Sequence, residues 1–245
     1  MTKAAPSEQM RLLDLQVLDS KLRALDVQAK GLKDDPRLPD LHAGVTVAKS
    51  DLVVLDTAVS DAARKLTKAE DDVAQVAARI AKDEAKLNSG TGLSKDLMAL
   101  QSDIESLTKR RGELEDVELE LMESSDEASS RQAAQQALVA QMQTVLDEVV
   151  SEIRGKLGAL RMERDATAQE RAELAATFDP ALLAAYDRTL NKYGVGAARL
   201  FHGTSEGSGM QLSPGDLADL KNAAEDDVVF CPDSGAILVR SSEWG

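Results

Sequence analysis

The chain has 245 residues and a formal net charge of −14, and it is 43% hydrophobic but only 2% aromatic. This acidic composition disfavours strong non-specific binding of nucleic acid, which needs an excess of Lys and Arg on some face. No stretch approaches the roughly 20 apolar residues of a membrane span, and the start of the chain lacks the apolar core of a signal peptide. We therefore expect a cytoplasmic protein without a membrane partner.

The N-terminal part of the chain carries the apolar pattern of coiled-coil helices. Leu, Val, Ile and Ala recur at alternating steps of three and four residues over 15–32 and again over 45–87, which keeps one seam toward a partner helix. Between these runs, Pro36 and Pro39 each remove an amide donor and clash with the preceding turn. We predict a helix break near 34–40, where the register of the seam resets.

The next breaker, "NSGTG" at 88–92, predicts the tip of a hairpin, because Asn, Ser and two Gly supply the conformations of a tight reversal. A returning helix over 93–174 spans about 120 Å, and the first arm spans about 110 Å without its linker. Since the two arms have similar lengths, we expect an antiparallel hairpin. In it, the residue numbers of two facing residues sum to about 180. The alternative is a parallel dimer of extended helices, which Gly90 and Gly92 disfavour.

The apolar seam is interrupted at the same level in both arms of this hairpin. The two prolines are expected to face Gln141–Thr144, a polar interval of the returning arm, so we predict a bend there. The predicted hairpin, residues 1–177, is thus a long bent antiparallel two-helix coiled coil.

The remainder, 178–245, has the pattern of a linker helix followed by a small β-rich unit, so the predicted fold class is mainly α with a zinc-ribbon-like head. Asp179 can cap the helix, Pro180 suits its first turn and Gly194 suits its exit. Strands are expected at 197–201, 210–212, 228–230 and 236–239, and a helix at 213–223. The expected core of the head comprises Phe201, Leu212, Phe230, Ile237 and Leu238.

Two Gly-containing turns, "SEGSG" at 205–209 and "CPDSG" at 231–235, have the layout of a zinc ribbon. In a ribbon each turn supplies two thiolates, and four thiolates close a tetrahedral site. The ligand positions here are Ser205, Ser208, Cys231 and Ser234. A serine hydroxyl does not ionise at neutral pH, so we expect the zinc to be lost and no cofactor to be present.

At this point the sequence resembles the bacterial coiled-coil proteins with a C-terminal C4-type zinc ribbon. The resemblance rests on "NSGTGLSKDLMALQSDIESLTKRR", "YGVGAARL", "LSPGDL" and the last turn followed by "ILVR". It implies a helical hairpin with a small β-rich head, in which three of four ligands are changed. Studied relatives look like adapters that bind other proteins, including secretion or transcription components, and some are suspected of touching nucleic acid.

These observations favour a non-enzymatic, regulatory adapter or scaffold with protein partners; self-association stays open. The alternative is a nucleic-acid or nucleotide-binding regulator. Its candidate contacts are Lys109, Arg110, Arg111, Arg188, Lys192 and Arg199.

No catalytic set is predicted. A reactive Cys231 is disfavoured, because Asp226, Asp227 and Asp233 are expected to raise its pKa. A mixed site of His202 and Cys231, completed by Asp233 or Glu206, lacks a recognisable spacing.

Overall fold

The computed structural model describes residues 2–240 and residue 244. The helices are α1 (Pro6–Lys33), α2 (Arg37–Asn88), α3 (Ser94–Ala175), α4 (Pro180–Tyr193) and α5 (Pro214–Asn222). The strands are β1 (Ala197–Phe201), β2 (Thr204–Ser205), β3 (Met210–Gln211), β4 (Val229–Phe230) and β5 (Ile237–Arg240). The predicted class, a long helical hairpin with a small β-containing C-terminal domain, is confirmed. None of the helices in the described part is long and apolar enough to cross a membrane.

The chain forms two compact units. One contains the residues up to Asp35 together with those from Glu152 onward, and the other contains Pro36–Ser151. The first unit therefore joins α1 and the end of α3 to the β-rich part of the chain. The predicted domain boundary between residues 177 and 178 stays a prediction. The two compact units divide instead after Asp35 and after Ser151.

The unit Pro36–Ser151 is an antiparallel pair of helices. The break before α2 is confirmed but is shorter than predicted, because α1 ends at Lys33 and α2 begins at Arg37. Pro39 lies inside the first turn of α2, where a helix needs no amide donor. At the predicted tip, Gly90 and Gly92 have φ angles of 68° and 154°, a backbone that favours glycine.

Side chains join the two arms of this unit at several levels. Gln132 Nε2 donates to Asp56 Oδ1 at 2.7 Å and Gln135 Nε2 donates to the Ala48 carbonyl at 2.9 Å. The residue numbers of these facing pairs sum to slightly more than the predicted value of about 180. The predicted sum of about 180 centres the reversal on residue 90, at the start of the predicted tip Gly90–Gly92. Because α2 ends at Asn88 and α3 begins at Ser94, the reversal is centred slightly later, which moves each partner along α3.

The polar interval of α3 accordingly does not face the prolines. Lys49 Nζ donates to Gln143 Oε1 at 3.0 Å, and Met142 Cε would lie 2.8 Å from a Cβ built on Gly44. The predicted pairing of Gln141–Thr144 with Pro36 and Pro39 is therefore wrong.

One seam position of α2 holds a buried carboxylate, Asp83, in place of an apolar side chain. Asp83 has no exposed surface, and it accepts hydrogen bonds from Arg79 Nε at 2.6 Å and from Lys86 Nζ at 3.4 Å. The bond from Arg79, with smaller help from Lys86, lowers the pKa of Asp83 against the opposing effect of burial. Two cations of its own helix thus allow a charge at a seam position.

The first unit contains a five-stranded sheet with the order β3-β2-β1-β5-β4. The central pair, β1 and β5, is parallel, whereas the other neighbours are antiparallel. The four predicted strands are confirmed within two residues, and β2 was not predicted. The α4 cap is also as predicted, since Asp179 Oδ1 accepts from the amides of Ala181 and Leu182 at 2.8 and 3.2 Å.

Both faces of the sheet are covered. Ile237 and Val239 of β5 pack on one face with Leu12, Leu15, Leu182 and Tyr186 of the helices. Leu238, between them, packs on the other face with Leu200, Leu212, Leu220 and Cys231. This alternation is the normal consequence of the period of two in a strand.

The aromatic part of the predicted head core is wrong. Phe230 is 48% exposed and Phe201 is only partly buried. We name the cluster of Leu200, Leu212, Leu220, Cys231 and Leu238 the inner cluster. Cys231 belongs to it and Val229 packs against it, so alternation along the chain directs Phe230 outward. Leu212, Ile237 and Leu238 are buried as predicted.

Candidate functional site

The two Gly-containing turns predicted at 205–209 and 231–235 are present as tight turns between neighbouring strands. The turn between β4 and β5 is closed by bonds from Gly235 N to Cys231 O at 2.9 Å and from Cys231 N to Ala236 O at 2.8 Å. In the turn between β2 and β3, Gly209 N donates to Ser205 O at 2.8 Å. Gly209 and Gly235 share a φ angle of 68°, so both turns end in a left-handed residue that suits glycine.

These turns bring three of the four predicted ligand positions together. The Ser234 amide donates to Cys231 Sγ at 3.4 Å, and Ser234 Oγ lies 3.3 Å from a Cβ built on Gly207 of the opposite turn. Ser205 and Cys231 are both buried. Ser208 Oγ instead accepts from the Met210 amide at 3.2 Å. The structure therefore shows Ser205, Cys231 and Ser234 at one place, with Ser208 engaged by its own turn.

The sequence predicted that the surroundings of Cys231 raise the pKa of its thiol, but in the structure they lower it. Burial opposes the thiolate, but hydrogen bonds from the Ser234 hydroxyl and amide, together with the nearby Ser205 hydroxyl, outweigh it, so the pKa of Cys231 is lowered. The prediction failed because Asp226 is directed to Lys3, at 2.9 Å, and Asp227 is also paired with Lys3. Within the described residues Ser205 Oγ has no hydrogen bond of normal geometry, so its effect on Cys231 is one of proximity.

The side chains at the four predicted ligand positions do not fit zinc. Structural zinc takes four thiolate or imidazole ligands, whereas these positions hold one thiol and three hydroxyls. Over residues 2–240 and 244 no three His, Cys, Asp or Glu side chains form a group that could hold a metal ion.

Arg240 forms a clamp at the end of β5 that the sequence did not predict. Its guanidinium donates to the carbonyls of Ala223, Ala224, Glu225 and Asp227 at 2.7 to 3.2 Å, and to that of Leu220 at 3.5 Å. These carbonyls belong to the end of α5 and to the loop that follows it. One side chain thus fixes the connection between the two halves of the head.

The N-terminus also ties down this loop. Ala4 N donates to Asp226 O at 2.9 Å, and Val228 N donates to Thr2 O at 3.2 Å, so the first described residues run antiparallel to 226–228. The buried Gln9 donates through Nε2 to Ala4 O at 2.9 Å and to Glu225 O at 3.1 Å. A stretch that has no strand signal of its own thereby extends the sheet region.

A polar network attaches α4 to α1 and to the end of α3. Tyr186 Oη donates to Asp19 Oδ2 at 2.8 Å. Arg171 donates through Nε to Asp19 at 3.2 Å and through Nη2 to Asp187 at 2.6 Å. Burial, followed by the bond to Asp19, raises the pKa of Tyr186. Gln16 Oε1 adds a link to β1 by accepting from the Gly196 and Ala197 amides.

Three of the six predicted nucleic-acid contacts form ion pairs with glutamates. Arg110 pairs with Glu113, Arg111 with Glu115 and Arg199 with Glu206. Lys109 is on the exposed surface of the Pro36–Ser151 unit. Arg188 and Lys192 line a groove beside the Cys231 turn.

The residues of the disfavoured mixed His202 site make contacts elsewhere. His202 has a φ of 45° in the tight β1–β2 connection, and its ring contacts Phe201 edge-on at a centroid distance of 4.2 Å. Glu206 is used by Arg199 at 2.6 Å. Asp233 lines the groove next to Cys231.

We expect Cys231 to react slowly despite its lowered pKa, because its side chain is buried in the inner cluster and reagents cannot reach it. Maleimide labelling at neutral pH should run at least about 100-fold slower in the folded chain than in urea. A Ser102→Cys variant, whose added thiol is exposed, supplies the rate of an accessible cysteine. Labelling of Cys231 at that reference rate would instead support a reactive thiol.

The fold and the paired turns define a class: a helical hairpin with a ribbon-type head. The chain belongs to the CT398-like coiled-coil hairpin family, whose sequence profile matches residues 15–194. The profile of the C4-type zinc ribbon domain matches residues 204–238.

The relatives match along almost their whole length. An uncharacterised protein of Mycobacterium tuberculosis is 33% identical over 97% of both chains. A solved structure from Mycobacterium smegmatis has a TM-score of 0.80 and 28% identity, covering 98% of this chain and 100% of that one. The structure of CT398 from Chlamydia trachomatis has a TM-score of 0.59 at 19% identity, with 95% and 97% coverage, and shows likeness of fold alone.

Proposed function

We propose that this protein is a non-enzymatic adapter or scaffold that binds partner proteins through its helical hairpin and its head. One observation carries the proposal: three valines of α2 stay exposed outside its seam. Val47, Val53 and Val54 are 60–67% exposed, and Val47 and Val54 are seven residues apart and share a helix face. We name this pair the outer valine face of α2.

The surroundings of this face support docking of a protein. Val45 and Ala48, its neighbours on the seam side, are buried within the unit, so the helix already has one partner. Apolar side chains that stay exposed beside a completed seam are typical of an interaction surface when they cluster. The open grooves along such a pair offer contact area but little enclosure, which suits a partner protein better than a small substrate.

The proposal includes a regulatory role in the cytoplasm and a head that folds without zinc. Secretion and transcription components are the partner classes that the resemblance of the sequence implies. The Arg240 clamp connects parts of the head to each other, and the N-terminal pairing and the Tyr186 network attach the head to α1 and α3. We propose that these contacts replace those that a metal supplies in an ordinary ribbon.

A pull-down with the full-length tagged chain from its native cell tests this function. We expect a defined protein partner that is retained after nuclease treatment. The Val47→Glu/Val54→Glu variant should lose most of that partner, because each change puts a charge into an apolar contact. The Lys65→Glu/Lys68→Glu variant, on exposed positions of the same helix, is the matched control and should retain it.

Two outcomes would contradict the adapter. One is a chain that retains no protein above the level of an unrelated coiled coil. The other is capture that disappears with nuclease, which would favour the nucleic-acid regulator instead.

A further inference from the structure

A groove of about 330 Å³ lies beside the Cys231 turn. Its rim is formed by Arg188, Lys192, Tyr193, Phe230, Pro232 and Asp233. We name it the α4 groove. It lies wholly within the first unit, between the exposed side of α4 and the turn that follows β4.

The two aromatic walls of the α4 groove are open to solvent, and one of them, Tyr193, is packed in place. Tyr193 is 51% exposed and Phe230 is 48% exposed. The Tyr193 ring packs closely against Gly235, since a Cβ built there would lie 2.4 Å from Cε2. Gly194, with a φ of 84°, ends α4 and fixes the approach of Tyr193. Little ordering of the Tyr193 side chain is therefore needed when a ligand binds.

The cations of the groove are available. Over the described residues neither Arg188 nor Lys192 forms an ion pair, whereas most other arginines of the chain do. Lys192 Nζ lies 4.7 Å above the Tyr193 ring, a contact that leaves its other N–H groups free. The one carboxylate on the rim is Asp233. A local positive site is thus set in a chain of net charge −14.

We propose that the α4 groove binds a short acidic segment of a partner protein that carries an aromatic or large apolar anchor. Carboxylates of the segment pair with Arg188 and Lys192, and the anchor inserts between Tyr193 and Phe230. This inference rests on the proposed adapter function and specifies a docking site on the head.

Charge and size favour a peptide over a nucleic acid here. Two cations neutralise about two phosphates, whereas useful non-specific affinity at physiological salt needs several more. A segment with two carboxylates and one anchor matches the two cations and the two aromatic walls without further contacts.

The test is selection of a random peptide library displayed on phage against the full-length chain. We expect enriched peptides to combine Asp or Glu with Phe, Trp, Tyr, Leu or Met. Their binding should fall at least about tenfold in the Arg188→Glu/Lys192→Glu variant. It should persist in Lys65→Glu/Lys68→Glu, which makes the same charge change outside the groove, and fall in Tyr193→Ser/Phe230→Ser.

Peptides without acidic residues, binding that survives Arg188→Glu/Lys192→Glu, or no enrichment would overturn the proposal. So would capture of single-stranded oligothymidine, by a contact sensitive to that variant, in place of acidic peptides. Matching melting temperatures of the variants show that the fold is intact, since both basic side chains are exposed. A partner pulled down equally by wild type and Arg188→Glu/Lys192→Glu leaves the adapter standing and removes this groove from it.

Discussion

Replacing Ser205, Ser208 and Ser234 together by cysteine is expected to give a chain that binds one zinc ion. The four positions then hold the thiolates of a C4 ribbon, and Cys231, Ser234 and Ser205 already lie together around the two turns. Structural zinc contributes on the order of 10 kcal/mol to the folding of a small metal domain at neutral pH. The variant should therefore melt at a clearly higher temperature with zinc than after chelation.

The control for this experiment changes three exposed serines far from the turns in sequence, Ser50, Ser60 and Ser102, to cysteine. It has the same number of thiols without the ribbon arrangement, so we expect no tightly held zinc. Equal zinc content in the two variants, measured by mass spectrometry of the native protein, would contradict the interpretation of the turns as a former zinc site.

Replacing Arg240 by methionine is expected to destabilise the head by about 2 to 4 kcal/mol. Hydrogen bonds to a charged group each contribute roughly 1.5 to 3 kcal/mol, but several on one side chain do not add up fully. The freed carbonyls of Ala224 and Glu225 are on exposed residues, where water replaces part of the loss. Urea unfolding followed by the fluorescence of Trp244, which packs against the inner cluster, measures the effect.

Two variants sharpen this result. Arg240→Lys keeps the charge but not the planar fork that reaches several carbonyls at once, so it should recover less than half of the stability. Arg161→Met removes an arginine from an exposed pair at 4.0 Å and should change stability by less than about 0.5 kcal/mol. An Arg240→Met variant as stable as Arg161→Met would show that the clamp does not hold the head.

The helical part of the fold was predictable because its signals are local. A seam at alternating steps of three and four, two prolines and two glycines fix where helices start, stop and reverse. The register between the arms was not, because it depends on how many residues the turn before Ser94 uses and on which side chains, such as Gln135 and Lys49, find partners across the pair. These are long-range choices that periodicity does not encode.

The candidate site was predictable in place but not in chemistry. Equal spacing in the two turns correctly indicated that Cys231 and Ser234 lie together. The direction of the Cys231 pKa was wrong, because charges close in sequence, such as Asp226, are directed elsewhere by Lys3. The Arg240 clamp and the Tyr186 network had no signal at all, since an arginine or a tyrosine in an apolar stretch gives no indication of its distant acceptors.

The most direct test of a head that folds without metal is the zinc content of the wild-type chain, purified without chelator and weighed by native mass spectrometry. We predict the mass of the chain alone, and a melting temperature of the head that does not change when a strong chelator is added. One zinc ion per chain, together with unfolding of the head on chelation, would contradict the account.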